Sequence, residues 1–155
     1  MTDHTEHELH FDIQYGYWFN LKCERFYRHL DLLLNIAQLL GGSGAVLSVF
    51  GGYSDWLAAV GVLLAATSAL SLLMQPSIKA GLHAAVKNQF VKLLAARKTQ
   101  TASVTEASIA TIRAEAPAGI SWLEQPAYNA AVQAMGRQDA CVNLSRAESA
   151  FNALT

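Results

Sequence analysis

The sequence predicts an all-α integral membrane protein: a two-helix transmembrane hairpin extended by cytoplasmic helices. Two charge-free runs, residues 32–54 and 56–78, are each 23 residues long and are separated only by Asp55. As α-helices they would each be about 34 Å long, against a hydrocarbon layer of roughly 30 Å. Because lipid offers no hydrogen bonds to a backbone, each run must be helical if it crosses a bilayer. The chain is also only 15% charged, whereas soluble domains average roughly 25%.

A hairpin buried inside a soluble helical bundle is the alternative interpretation of the two runs. Helices of globular proteins average about 11–12 residues and keep a polar face. Neither run contains a charged residue with which to make such a face. We therefore prefer the membrane interpretation.

The distribution of positive charge predicts the orientation of the hairpin. All 11 lysine and arginine residues lie outside residues 51–55, the predicted turn. Lys22, Arg25 and Arg28 precede the hairpin, and the others follow it from Lys79 onward. By the positive-inside rule the turn faces outward and both termini are cytoplasmic. The acidic, polar start of the chain predicts no cleavable signal peptide, so the first crossing would act as its own uncleaved signal.

Four regions follow from this pattern. Residues 1–31 form an N-terminal cytoplasmic segment with an amphipathic helix, 32–78 the transmembrane hairpin, 79–98 a cytoplasmic stalk helix and 99–155 a small helical cytoplasmic region. Within the first region, residues 9–17 alternate between apolar and polar, which is typical of a strand. A strand here would have to pair with another copy of the protein, because no second alternating segment is present. We favour a helix with Gly16 as its weak point.

The second half of the chain carries helix-boundary signals. Pro76 is expected to kink the helix after the second run without ending it. The Ser-x-x-Glu sequence at 103–106 predicts the cap of a short helix, and the one at 121–124 predicts the cap of a turn that carries Trp122. Residues 127–135 predict a helix ended by Gly136. A last helix is expected to present one apolar face: Cys141, Leu144, Ala147, Phe151 and Leu154.

Polar and small residues recur along the two runs. Polar side chains at membrane depth avoid lipid, and small residues let helices approach closely. The candidates for a pore lining or a subunit interface are Asn35, Gln38, Gly42, Ser68, Ser71 and Gln75. The candidates for a helix-packing seam are Gly44, Ser48, Gly52, Gly61, Ala65 and Ala69. These residues either hold one hairpin together or, since two helices have little interior, join several copies; we expect a homo-oligomer.

Other function classes find little support. His4, His7 and His10 recur every three residues, but that spacing does not place them on one narrow helical face, and no metal site is predicted. Motifs of hydrolases, nucleotide-binding loops and metalloproteases are missing, so we predict neither an enzyme nor a bound cofactor. A net charge of −1 disfavours nucleic-acid binding. Cys23 and Cys141 are no disulfide framework.

The order of elements resembles the SLATT family of two-helix membrane effectors in bacterial conflict systems. The similarity covers residues 17–98 and rests on this architecture, together with residues 25–32, RFYRHLDL, and the stretch 68–87. The resemblance implies a multi-pass protein of the bacterial inner membrane that forms pores when a cytoplasmic sensor protein is activated. It carries no catalytic residues over to this chain. A non-conducting membrane scaffold or adaptor, and a phage holin-like or exclusion protein, remain alternatives.

Overall fold

The computed structural model describes residues 6–51 and 54–155, with the backbone alone described at 45–51, 54–58 and 98. The described residues form helices and no strand, which confirms the all-α prediction. The α-helices are α1 (Glu6–Gly51), α2 (Ser54–Met74), α3 (Pro76–Ala96), α4 (Ala102–Glu115), α5 (Glu124–Ala134) and α6 (Arg146–Ala153).

The chain forms two units. The first, here called the terminal unit, comprises residues 1–26 and 79–155. The second, here called the apolar unit, comprises residues 27–78. The N-terminal segment and the C-terminal helices, which the sequence presents as separate regions, thus fold into the same unit.

Three helices build the main core of the terminal unit. Gly16 of α1 lies against the ring of Phe90, and Asn20 bonds to His83, so α1 and α3 run antiparallel. Helix α4 closes the core from a third side. Seven side chains, each at most 8% exposed, make up this core: Leu9, Ile13, Val86, Phe90, Leu93, Ile109 and Ile112.

Residues 9–17 are helical, so the strand alternative is wrong. The buried positions Leu9, Ile13 and Gly16 follow a helical spacing of four and three. Phe11 and Tyr15 lie on another face of α1, where their rings are stacked with centroids 6.1 Å apart. The strand-like alternation therefore arises because two faces of one helix are both covered by other elements.

Several boundaries in the second half differ from the predictions. Thr101 is the N-cap of α4 and makes no side-chain cap bond, so the predicted Ser103 capping box is wrong. The predicted turn at 121–124 is present as a 3-10 turn, Ser121–Leu123, that leads into α5, but its N-cap is Ile120 and has no side-chain cap bond. Gly136 has φ of 76° just after α5, a conformation that suits glycine and ends the helix near the predicted residue.

The last helix is shorter than predicted. Cys141 and Leu144 precede α6, which begins at Arg146, because Ser145 and Glu148 form a capping box at this point. Helix α6 is attached to α1 through its C-terminal end. Lys22 Nζ donates to Asn152 Oδ1 at 2.6 Å.

Candidate functional site

The apolar unit contains every predicted pore, interface and seam residue, and its two helices contact each other along a regular seam. On α2 the half-buried positions are spaced alternately by four and three: Val60, Leu64, Thr67, Ser71 and Met74. This spacing is that of helices packed at a small crossing angle with interdigitated side chains. The seam therefore follows a heptad pattern.

Helix α1 contributes a matching stripe. Its most buried positions are Tyr27, Leu34 and Gly41, seven residues apart, with half-buried residues between them. A Cβ atom on Gly41 would lie 2.7 Å from Leu64 Cδ2, so any larger residue there would force the Leu64 side chain to shift. At Gly44 the same atom would be 3.9 Å from Val60, an ordinary contact. The glycine pattern of the first run already indicates Gly41 as a close-approach site, although Gly41 is not one of the predicted seam residues.

The outward surface of this pair is apolar. Large side chains there are 43% to 82% exposed: Leu32, Leu33, Ile36, Leu39, Leu40, Val62, Leu63, Leu70, Leu72, Leu73 and Ile78. Monomeric soluble proteins seldom expose contiguous apolar patches larger than a few hundred Å². Such a surface needs a covering of lipid or of other protein.

One stretch among the described residues, Ala59–Ala96, is long and apolar enough to cross a membrane by length and composition, with a mean hydropathy of 1.6 in its most apolar 18-residue window. Only 6% of its most apolar window is buried, whereas the core helix of a soluble protein is mostly buried. The predicted first crossing includes residues 45–51, whose side chains are not described.

The predicted pore or interface residues on α1 share one face. Asn35 is exposed and its Nδ2 donates to Asp31 Oδ2 at 3.3 Å, one turn earlier. Gln38 is half-buried, and Gly42 has open space where a Cβ atom would lie. This polar stripe therefore lies beside the seam, and contacts between α1 and α2 do not cover it completely.

The corresponding residues on α2 are divided between the seam and the surface. Ser71 is half-buried in the seam, whereas Ser68 and Gln75 are exposed. Gln75 has φ of 46°, and α2 ends at Met74 while α3 begins at Pro76. Pro76 therefore begins a new helix and does not merely kink a continuous one. Proline suits the first helical position because it has no N–H to be satisfied there.

The small-residue stripe of α2 is not part of the seam within the chain. Gly61, Ala65 and Ala69 are exposed, and nothing lies within 4 Å of a Cβ atom built on Gly61. The side chain of Ser48 and the whole of Gly52 lie outside the described residues. Whether this stripe packs against another copy stays a prediction.

The terminal unit contains a buried polar network that sequence reasoning missed. Asn20 Nδ2 donates to the Gly16 carbonyl at 2.8 Å, which leaves Oδ1 to accept from His83 Nδ1, also at 2.8 Å. A second polar pair joins the same two helices, because Lys87 Nζ lies 2.6 Å from Glu24 Oε2. In the sequence, polar residues spaced by four occur on both helices and indicate a polar face on each. The sequence pattern does not show that residues 63 positions apart on these two faces bond to each other.

Burial controls the titration of this network. His83 is fully buried, and desolvation lowers its pKa. The Ala118 backbone and the Glu24 charge oppose this shift, while Lys79 adds to it. His83 is therefore neutral at pH 7 and donates through Nδ1.

No metal site emerges from residues 6–51 and 54–155, where no group of three or more His, Cys, Asp or Glu side chains is arranged to hold an ion. His4 lies outside these ranges. Comparisons of the chain with protein-family models, with curated proteins and with solved structures find no match.

Proposed function

We propose that residues 32–78 cross a bacterial inner membrane twice and that the chain is a membrane-perturbing effector. The observation that carries the proposal is the apolar outer surface of the apolar unit. Its helices expose large leucine, isoleucine and valine side chains, and no charged residue interrupts 32–54 or 56–78. Transfer of this surface into lipid is favourable, because each fully buried aliphatic side chain contributes roughly 1.5–3 kcal/mol.

The terminal unit is then cytoplasmic, in line with the lysine and arginine residues on both sides of the hairpin. Both termini belong to this unit. In this orientation the unit is available to a cytoplasmic sensor protein, the kind of partner that the resemblance to SLATT effectors implies.

Self-association is the second part of the proposal. An amide exposed to hydrocarbon is unfavourable, so Asn35 and Gln38 need partners in the membrane. The seam within the chain leaves the face of Asn35 open, and it also leaves Gly61 and Ala65 exposed. Contacts between copies would cover both stripes, with the amides lining a water-filled path or holding neighbouring subunits together.

Induced expression tests the perturbing activity. In the double variant Asn35→Leu, Gln38→Leu we expect loss of growth arrest and of dye-reported depolarisation, with membrane insertion unchanged. Ser43→Leu is the matched control, since it adds the same apolar side chain on a different face, where the Ser43 hydroxyl donates to its own helix at the Leu39 carbonyl. Full activity of the double variant would refute the lining role.

The same measurement separates the alternatives. A non-conducting scaffold or adaptor would leave the membrane potential unchanged on expression of the parent chain. Such a result would move the function of the protein to the partner-binding surfaces of the terminal unit. A holin-like protein would depolarise the cell as well, so the proposal shares this activity with that class.

A further inference from the structure

An aromatic cleft of about 450 Å³ lies in the terminal unit, beside the core. The Phe11 and Tyr128 rings meet edge to face with centroids 5.6 Å apart, and Tyr15 stacks on Phe11. The remaining lining residues are Asp12, Arg113, Glu124, Gln125 and Val142. Ligand sites of small molecules are clefts of this size, with apolar walls and a few polar groups.

The walls of the cleft belong to helices α1 and α5, and buried residues hold both helices in place. On α5, Pro126, Ala127 and Ala131 are buried on the side opposite the solvent and fix the position of Tyr128 between them. Phe11 and Tyr15 project from α1 between the buried residues Leu9 and Ile13 and the close contact at Gly16. The ring positions are therefore set by the fold, and binding would require little reorganisation.

The charges in the cleft favour a positive ligand. Asp12 and Arg113 form an ion pair at 3.0 Å, so these two groups largely neutralise each other. Glu124 lines the same cleft and is exposed, and its side-chain carboxylate has no hydrogen bond or ion pair among the described residues. Burial is the main cause that raises the pKa of the Tyr15 hydroxyl, and the negative charge of Glu124 raises it further. The cleft thus carries one uncompensated negative charge beside three aromatic rings.

We propose that this cleft binds a small organic cation, an alkylammonium or guanidinium group on a short apolar stem. Aromatic faces attract a cation held within about 6 Å of the ring centroid, and a carboxylate beside them adds a charge-assisted hydrogen bond. Phosphate-bearing ligands are disfavoured because the guanidinium of Arg113 is already paired and Glu124 repels them. The inference does not depend on the membrane proposal, since every lining residue belongs to the terminal unit.

Calorimetric titration of the full-length chain in detergent micelles tests the inference. The probes are the methyl esters of arginine and of citrulline with the α-amino group acetylated, which have nearly the same shape but differ in the guanidinium charge. We expect saturable binding of the arginine ester and at least about tenfold weaker binding of the citrulline ester. Glu124→Gln should weaken the arginine ester about tenfold, whereas Glu115→Gln, the same charge change on α4 away from the cleft, should have no effect.

Further arms make the result decisive. Tyr128→Leu should also weaken the arginine ester, and because Glu124 is exposed its variant tests the idea even if Tyr128→Leu fails to fold. A blocked peptide with one central arginine shows the source of the cation: tighter binding than the ester indicates a protein side chain, and equal binding a free metabolite. Equal affinity for both esters, an unchanged affinity in Glu124→Gln, or preferential binding of inorganic phosphate would overturn the proposal.

Discussion

Gly16 and Gly81 occupy helices of the same unit but differ in their surroundings. A Cβ atom on Gly16 would enter the ring of Phe90, which is only 1% exposed, whereas Gly81 has open space around it. We expect Gly16→Ala to lower the free energy of unfolding by about 2 kcal/mol through overpacking. Gly81→Ala should instead raise it by about 0.5–1 kcal/mol, because alanine favours the helix.

Thermal or denaturant unfolding of both variants in detergent measures this pair of opposite effects. Equal shifts in the same direction would show that the contact between Gly16 and Phe90 does not determine the packing. The sequence already marked Gly16 as an unusual position inside a helix. It did not indicate that the ring of Phe90 fills the space that a side chain at residue 16 would occupy.

His83 should make the stability of the terminal unit depend on pH. Burial lowers its pKa below the ordinary value of 6.5, so the unfolded chain binds more protons between the two pKa values. Stability is therefore fully present above about pH 6.5 and decreases as the pH falls towards the folded pKa. Lys79 acts in the same direction, and Glu24 opposes it.

Unfolding of the parent and of His83→Asn between pH 7.5 and 5 measures this contribution. Asparagine can keep a donor near the position of Nδ1 but does not titrate, so the decrease in stability at low pH should be smaller. His10→Gln is the control for a second contribution, since burial, Arg97 and His7 also lower the pKa of His10. Identical pH slopes in the parent and His83→Asn would contradict the assignment.

For whole helices, the sequence indicated more about existence than about boundaries. The two apolar helices and the end of α5 at Gly136 could be predicted because they depend on local composition and backbone conformation. The capping sites were harder to predict. Ser-x-x-Glu occurs at 103, 121 and 145, and of these three sequences the one at 145 forms a complete capping box. Tertiary packing selects which of several equal local signals is used.

The interruption between α2 and α3 leads to a prediction about Gln75. Its φ of 46° lies in the left-handed region, which is unfavourable by roughly 1–2 kcal/mol for a residue with a Cβ atom. Gln75→Gly should therefore raise the free energy of unfolding, by about 1 kcal/mol or less after the entropy of glycine in the unfolded chain is counted. Ser71→Gly, within the regular part of α2, should lower it by about 0.5 kcal/mol.

Unfolding midpoints of the two variants in the same detergent provide the comparison. Destabilisation by Gln75→Gly would mean that α2 and α3 are continuous through residue 75. The sequence predicted a kink here from Pro76 alone. It could not place the strain on the preceding residue, because that depends on the path that the chain takes after α2.

At the level of the entire chain, the sequence predicts a membrane hairpin more clearly than any other feature, and it indicates the make-up of the terminal unit least clearly. Phe26 and Phe151 stack with ring centroids 5.4 Å apart although they are 125 positions apart in the sequence. Such contacts depend on shape complementarity between distant segments, which periodicity does not encode. The cleft formed by Phe11, Tyr15 and Tyr128 was missed for the same reason.

The two cysteines make the orientation of the chain measurable. Cys23 is buried, and burial raises its pKa to about 11, so its thiol is unreactive in the folded protein. With Cys141 replaced by alanine, a new cysteine reports on its own position. Asp55→Cys probes the predicted outer turn, and Ser103→Cys probes an exposed position of α4.

Labelling of these two variants in intact bacterial spheroplasts with a membrane-impermeant maleimide is the most direct test of the membrane hairpin. We expect Asp55→Cys to react in intact spheroplasts and Ser103→Cys to react only after the membrane is permeabilised. Protection of both positions until permeabilisation, or recovery of the protein in the soluble fraction, would contradict the double crossing of residues 32–78.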